Sequence, residues 1–128
     1  MRQDYDVLIV GAGVVGSSLA LALSHLPLRI ALIEQIPFRF EPPLSLDSKP
    51  IALNVASMRI LQTLALWPAL AAYANPIRQV HISQQACLAQ SRIRAKDMGV
   101  AQVGCVIPAA RLGSELIKAL SECAAGKT

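Results

Sequence analysis

The stretch from Tyr5 to Glu34 constrains this chain more than any other. Val7 to Val10 is a short apolar run rich in β-branched residues, which suits a buried parallel strand. Gly11-Ala12-Gly13-Val14-Val15-Gly16 follows at once and completes G-x-G-x-x-G. Residues 17–26 then place Leu19, Leu23 and Leu26 at helical spacing, Pro27 ends the helix, and residues 29–33 form a second apolar run closed by Glu34. Strand, glycine loop, helix, strand and terminal acid in that order predict a βαβ unit built for a dinucleotide.

Each residue type has a physical role in that unit. Gly11 lets the chain turn sharply out of the strand, Gly13 leaves the backbone bare for a diphosphate, and Gly16 lets the helix press on the strand. Between them, Ala12, Val14 and Val15 carry backbone N–H groups into a helix start that favours an anion. Glu34, eighteen positions after Gly16, can accept hydrogen bonds from the ribose 2′- and 3′-hydroxyls. It would repel a 2′-phosphate, which disfavours NADP as the ligand of this loop. A secretory signal or spanning helix is the competing reading of residues 7–23. Asp4 and Asp6 beside Arg2 remove the positive leader a signal needs, and the glycines and serines weaken a spanning helix.

At 128 residues the chain is one domain by length, with 54% hydrophobic and 16% charged residues. That balance fits an aliphatic α/β core and excludes disorder. Net charge is +4, with the basic residues scattered. Only Arg92, Arg94 and Lys96 cluster, at a spacing that suits one face of a strand. No basic run is interleaved with aromatics, which argues against nucleic-acid binding, although anionic lipid could attract the chain weakly. Cys87, Cys105 and Cys123 are odd in number and widely spaced, so neither a zinc site nor a disulfide framework is expected. A reduced, cytoplasmic chain is the simplest reading.

Beyond Glu34, the prolines at 37, 42, 43 and 50 predict a loop over residues 35–50, either a flap over the ligand or a plain connector. Residues 51–66 read as a helix with Asn54 as a candidate N-cap and Val55, Met58 and Leu61 as its apolar stripe. Trp67-Pro68 opens a second short helix to Ala74. Residues 77–83 and 88–95 read as an antiparallel hairpin with one wet face, His81 being a solvated strand residue. His25 stands near the end of the first helix as a favourable terminal charge. Residues 99–107 read as a strand broken by Pro108. Residues 109–124 read as a last helix with Leu112, Leu116 or Ile117, and Leu120 inward, stopped at Gly126.

The sequence resembles the N-terminal part of the flavin-dependent aromatic hydroxylases of ubiquinone biosynthesis, within the para-hydroxybenzoate hydroxylase-type monooxygenases. The likeness rests on residues 6–16, on Leu46-Asp-Ser-Lys-Pro-Ile-Ala-Leu53, on residues 61–70 with Trp67, on Ile77-Arg-Gln-Val-His-Ile-Ser83, and on Gly104-Cys-Val-Ile107 before a helix. It implies that the dinucleotide is FAD, held by Gly11, Gly13, Gly16 and Glu34. It also implies that NAD(P)H and O2 are co-substrates and that a prenylated phenol is hydroxylated, with no catalytic side chain assignable because the flavin carries the chemistry. Relatives carry arginine where Lys49 stands. They also often carry a polar or basic residue where Ala109 and Ala110 stand, with Arg111 shifted later. Lys49 and Arg111 are therefore candidate cofactor contacts, Lys49 without the planar guanidinium fork, while Arg111 reads equally well as a helix-surface cation.

Family members are several-fold longer. The fold expected is an incomplete Rossmann-like FAD-binding sheet with a small antiparallel extension and a C-terminal helix. The 128 residues alone are then expected to be inactive and to self-associate through unpaired edges. Association with the inner membrane face or a ubiquinone-synthesising complex is a further implication. Two other readings stand beside this one: another FAD or NAD oxidoreductase sharing the βαβ unit, and a truncated chain that binds a nucleotide weakly, or nothing, and has no turnover of its own.

Overall fold

The computed structural model describes residues 4–36, 49–83 and 90–125. Its first unit is the predicted one. Strand β1 (Val7–Val10) pairs in parallel with β2 (Ile30–Ile33), with Val7 opposite Ile30 and Val10 opposite Ile33, and helix α1 (Val14–Leu23) makes the crossover. The helix starts three residues earlier than its leucine spacing suggests, because Gly13 already serves as N-cap, and it ends at Ser24, ahead of Pro27. The entry to the pair is clamped. Asp6 Oδ2 accepts the Arg29 N–H at 2.8 Å and the Arg29 Nε–H at 3.2 Å, while Oδ1 accepts from Nη2 at 3.2 Å.

Residues 51–66 do not form one helix. Pro50–Asn54 is strand β3, and helix α2 occupies Val55–Thr63. Alanine and leucine favoured helix locally, but Ile51 and Leu53 alternate with exposed Ala52 and Asn54, and pairing with a later strand wins. Asn54 is the N-cap as expected: its Oδ1 accepts the Ser57 N–H at 2.8 Å. At the far end Ala65 adopts φ 58°. Its N–H donates to Gln62 O at 3.0 Å and the Leu66 N–H donates to Leu61 O at 3.0 Å. This is a Schellman closure, with buried Leu61 and Leu66 as its apolar pair. Helix α3 (Trp67–Leu70) follows with proline in its first turn and runs into a 3-10 turn, Ala71–Tyr73.

The remaining strands divide more finely than their alternation predicts. β4 (Asn75–Ile77) and β5 (Gln79–Ser83) belong to different sheets. β5 forms the expected hairpin with β6 (Gln90–Arg94), Gln79 facing Arg94 and Ser83 facing Gln90. Residues 99–103 are turn rather than strand, and β7 spans Gly104–Pro108. β7 lies antiparallel between β3 and β4, so Pro108 ends the strand opposite Pro50 instead of breaking it earlier. Two prolines at the same rung suit the end of a ladder, where neither N–H is needed.

Helix α4 (Ala109–Ala125) lies against α1, α3 and β7. Leu112 and Leu116, one turn apart, are fully buried, as are Leu70 and Ile107. With Leu21, Leu53, Met58, Leu61, Leu66 and Cys105 they make one core, so α4 seals the β3–β7–β4 sheet against the first unit. Each such leucine contributes about 1.5–3 kcal/mol of burial. The β1–β2 pair is covered on one face only. Ile9 is buried under α1, whereas Leu8, Val10 and Ile33 are 61%, 82% and 49% exposed. Parallel sheets are ordinarily covered on both faces. Most of the predicted 35–50 loop, Cys87 and Gly126 lie outside the described residues.

Candidate functional site

The glycine loop sits at the carboxyl ends of β1 and β2, where open α/β sheets bind their ligands. Gly11 takes φ +93°, and its N–H donates to Ile33 O at 2.8 Å, so the chain leaves β1 while still tied to β2. At Gly16 a Cβ would land on the Gly11 carbonyl oxygen and lie 3.3 Å from the Ile9 side chain. Only hydrogen fits there, and α1 presses directly on the loop.

Gly13 differs from both. Its φ of −68° and ψ of −173° are open to any residue, and among the described residues a Cβ would meet nothing within 4 Å beyond its own chain neighbours and helix backbone. Neither conformation nor packing requires glycine at this point. What glycine leaves is bare backbone facing open space, the property a close-lying diphosphate needs. No side chain caps α1, and its first turn contains no acid. The N–H groups of Val14, Val15 and Gly16 therefore keep the partial positive charge of an uncapped helix start. These residues fit a dinucleotide diphosphate.

Glu34 closes the other side. Its Oε2 accepts the Ala12 N–H at 2.7 Å and its Oε1 accepts the Ile36 N–H at 3.0 Å. The Ile36 and Ala12 N–H groups hold this carboxyl below its ordinary range, against a small opposing effect of desolvation. A carboxylate has about four acceptor positions, so lone pairs remain for sugar hydroxyls.

One contributor went unnoticed in the sequence. Ser17 is 1% exposed, its Oγ donates to Ala12 O at 2.9 Å, and its N–H donates to Gly13 O at 2.9 Å. Ala12 is thus held at both its N–H and its carbonyl. The only signal was a small hydroxyl residue directly after the last glycine.

The backbone brings the segments that carry Lys49 and Arg111, distant in sequence, to one corner. The Ala109 N–H donates to Lys49 O at 3.1 Å, and Arg111 lies in the first turn of the helix that begins there. The Lys49 side chain is exposed. The Arg111 guanidinium carbon lies 4.4 Å from the centroid of the Tyr73 ring, a cation–π contact that ties α4 to the 3-10 turn. Leu112, next to Arg111, lines an apolar cleft of about 200 Å3 with Val14, Val15, Leu53 and Ile60, beside the start of α1.

The other candidates stay apart from the loop. His25 follows α1, and His81 is an exposed residue of β5 facing Arg92. Burial pushes the Cys105 thiol up, which makes it a packing residue. Among the described residues, no group of three or more His, Cys, Asp or Glu could hold a metal ion. No described helix is long and apolar enough to cross a membrane.

Comparison with known proteins agrees with this geometry. The chain is 34% identical over 82 residues to ubiquinone hydroxylase UbiL of Rhodospirillum rubrum, covering 60% of this chain and 18% of that protein. It is 39% identical over 67 residues to ubiquinone hydroxylase UbiM of Neisseria meningitidis, covering 52% and 14%. The matches thus span less than a fifth of those relatives. Among solved structures, the anhydrotetracycline hydroxylase OxyS of Streptomyces rimosus superposes with TM-score 0.69 at 21% identity over 93% of this chain and 23% of that one. The p-nitrophenol 4-monooxygenase PnpA of Pseudomonas putida gives 0.68 at 14% identity over 95% and 30%. These two likenesses show the fold. The model of the FAD binding domain matches residues 4–127. So little of the sequence falls outside that match that the chain belongs to the FAD-binding domain family, whose cofactor is FAD.

Proposed function

We propose that this chain is the N-terminal, FAD-binding part of a flavin-dependent aromatic hydroxylase that acts on a prenylated phenol in ubiquinone biosynthesis, with NAD(P)H and O2 as co-substrates. The similarity to two ubiquinone hydroxylases from different bacteria carries this reading. When bound, a reduced flavin supplies the oxygen-activating chemistry that hydroxylates a phenol ring. The residues of this chain bind and orient. Gly13 and the start of α1 receive the diphosphate, Glu34 accepts from the adenosine ribose, and Lys49 and Arg111 add positive charge at the corner where β3 and α4 begin.

In this reading the 128 residues by themselves have no turnover and self-associate. The bare face of Leu8, Val10 and Ile33 supports the second expectation. In the protein that carries this chain, NAD(P)H oxidation stimulated by a prenylated phenol, with a hydroxylated product, would establish the reading. FAD binding with oxidation indifferent to phenols would instead point to another FAD oxidoreductase. Unquenched flavin fluorescence on titrating the chain itself would mark it as unable to hold the cofactor unaided.

A further inference from the structure

The β5–β6 hairpin sorts its side chains by face. Gln79, His81 and Ser83 stand opposite Arg94, Arg92 and Gln90 on one face, while Val80 and Ile82 stand opposite Ile93 and Ser91 on the other. At the base of the hairpin, Arg78, Arg94 and Lys96 surround a hollow of about 260 Å3, with Gln79, Ala95, Val100 and Ala101 completing its wall. The backbone fixes this arrangement. The Ala95 N–H donates to Arg78 O at 2.8 Å, and the Val100 N–H donates to Ala95 O at 3.1 Å. Arg78, ahead of β5, and Lys96, beyond β6, are therefore held together by the fold rather than by free loop ends.

Among the described residues, no carboxylate lines the hollow. Asp97 is adjacent in sequence, yet among the described residues none of the three cations forms an ion pair. Three cationic residues lining one concavity favour an anion that enters it. Two guanidinium forks match phosphate oxygens in pairs, the lysine adds a point charge, and the Gln79 amide is a further donor. The volume lies below the roughly 300 Å3 at which drug-sized clefts begin, which suits a phosphate or diphosphate group rather than a whole dinucleotide. We propose that this hollow is a second anion site, separate from the glycine loop, which binds a phosphate-bearing group. It goes beyond the flavin reading and does not depend on it.

Calorimetric titration of inorganic pyrophosphate into the FAD-saturated chain, wild type against variant, reads this site with the loop filled. Should FAD not bind, the difference between wild-type and variant isotherms still isolates the hollow. The expected result is saturable binding that weakens with added salt. It should be at least roughly tenfold weaker in R78Q/R94Q/K96Q and intermediate in R78K/R94K, which keeps the charges and loses the guanidinium forks. Co-sedimentation with phosphatidylglycerol–phosphatidylcholine vesicles distinguishes the sources. Pelleting that the glutamine variant loses assigns a lipid headgroup, and a chain that binds pyrophosphate but stays in the supernatant assigns a soluble phosphate compound. Identical isotherms for wild type and the glutamine variant, or no binding by wild type, would overturn the proposal.

Discussion

The Glu34 carboxylate accepts the N–H of Ala12, a residue twenty-two positions earlier, at 2.7 Å. One side chain thus joins the end of β2 to the middle of the glycine loop before any ligand arrives. A loop already held open loses less freedom on binding. Glu34→Gln keeps the shape but turns an NH2 toward one of the two backbone N–H groups that the acid now satisfies. Removing charged hydrogen bonds of this kind should weaken FAD binding about ten- to a hundredfold. Fluorescence titration of the two proteins measures it, with the far-UV spectrum unchanged.

Asp6 and Glu34 also set a pH dependence. The Arg29 side chain, and next its N–H, lower the Asp6 carboxyl, while the Ile36 and Ala12 N–H groups lower Glu34. The unfolded chain takes up protons at these groups first as pH falls below their ordinary values of about 4. Between the unfolded and folded values the unfolded state binds more protons, so stability is fully present near neutrality and is lost as pH falls through the folded values. Both groups are exposed and the effect is modest. Urea midpoints should hold level down to about pH 5 and then drop, and the drop should shrink in Asp6→Asn.

Gly13 and Gly16 should fail in different ways. Gly16→Ala places a methyl on the Gly11 carbonyl oxygen, so the loop or the helix must move and stability falls. Gly13→Ala meets open space in an unstrained conformation, and the gain of about 0.4–1 kcal/mol through the unfolded state is offset by the poorer N-cap that alanine makes, so stability should change little. Its methyl nevertheless occupies the approach to the diphosphate, and FAD affinity should fall at least roughly tenfold. A Gly13→Ala protein that binds FAD like wild type would mean that the phosphates lie elsewhere.

How much of this was legible depended on whether the signal was local. The βαβ unit, the acid at its end and the Asn54 cap are written in short stretches, and their positions in the structure agree. The strand at Pro50–Asn54 was not legible, because its reason lies at Gly104–Pro108, fifty residues on. The same holds for the split between β4 and β5. Residues 77–83 alternate as one strand, yet Ile77 pairs with Gly104 and Gln79 pairs with Arg94. In the site, Ser17 was hidden because its role comes from burial against Ala12, and nothing in its neighbours distinguishes it from an ordinary helix serine. Lys49 and Arg111 were reached only through resemblance. The contact between the Ala109 N–H and Lys49 O that brings their segments to one corner has no signature in sequence.

Asn54 stands at the junction of β3 and α2, and its side chain satisfies one otherwise orphaned N–H, that of Ser57. Asn54→Ala should destabilise the chain by about 1 kcal/mol. Asn54→Asp keeps the acceptor and adds charge at a helix start that has no acid, so it should match or exceed wild type in urea unfolding.

Ala65 is the one described residue other than glycine at positive φ. Its 58° lies where a Cβ crowds the following carbonyl, at about 1–2 kcal/mol for an L-residue. The position cannot relax away from this angle without breaking the closure of α2. Both Ala65 and Leu66 donate back into the helix, and Leu66 is buried in the core beside Leu61. Glycine is the residue such a closure ordinarily carries. Ala65→Gly removes the crowding but adds freedom to the unfolded chain, a loss of about 0.4–1 kcal/mol. The first effect is at least as large, so the variant should be more stable by up to about 1.6 kcal/mol. Chemical denaturation reads the sign directly. A less stable Ala65→Gly would show that this turn does not hold the left-handed conformation in solution.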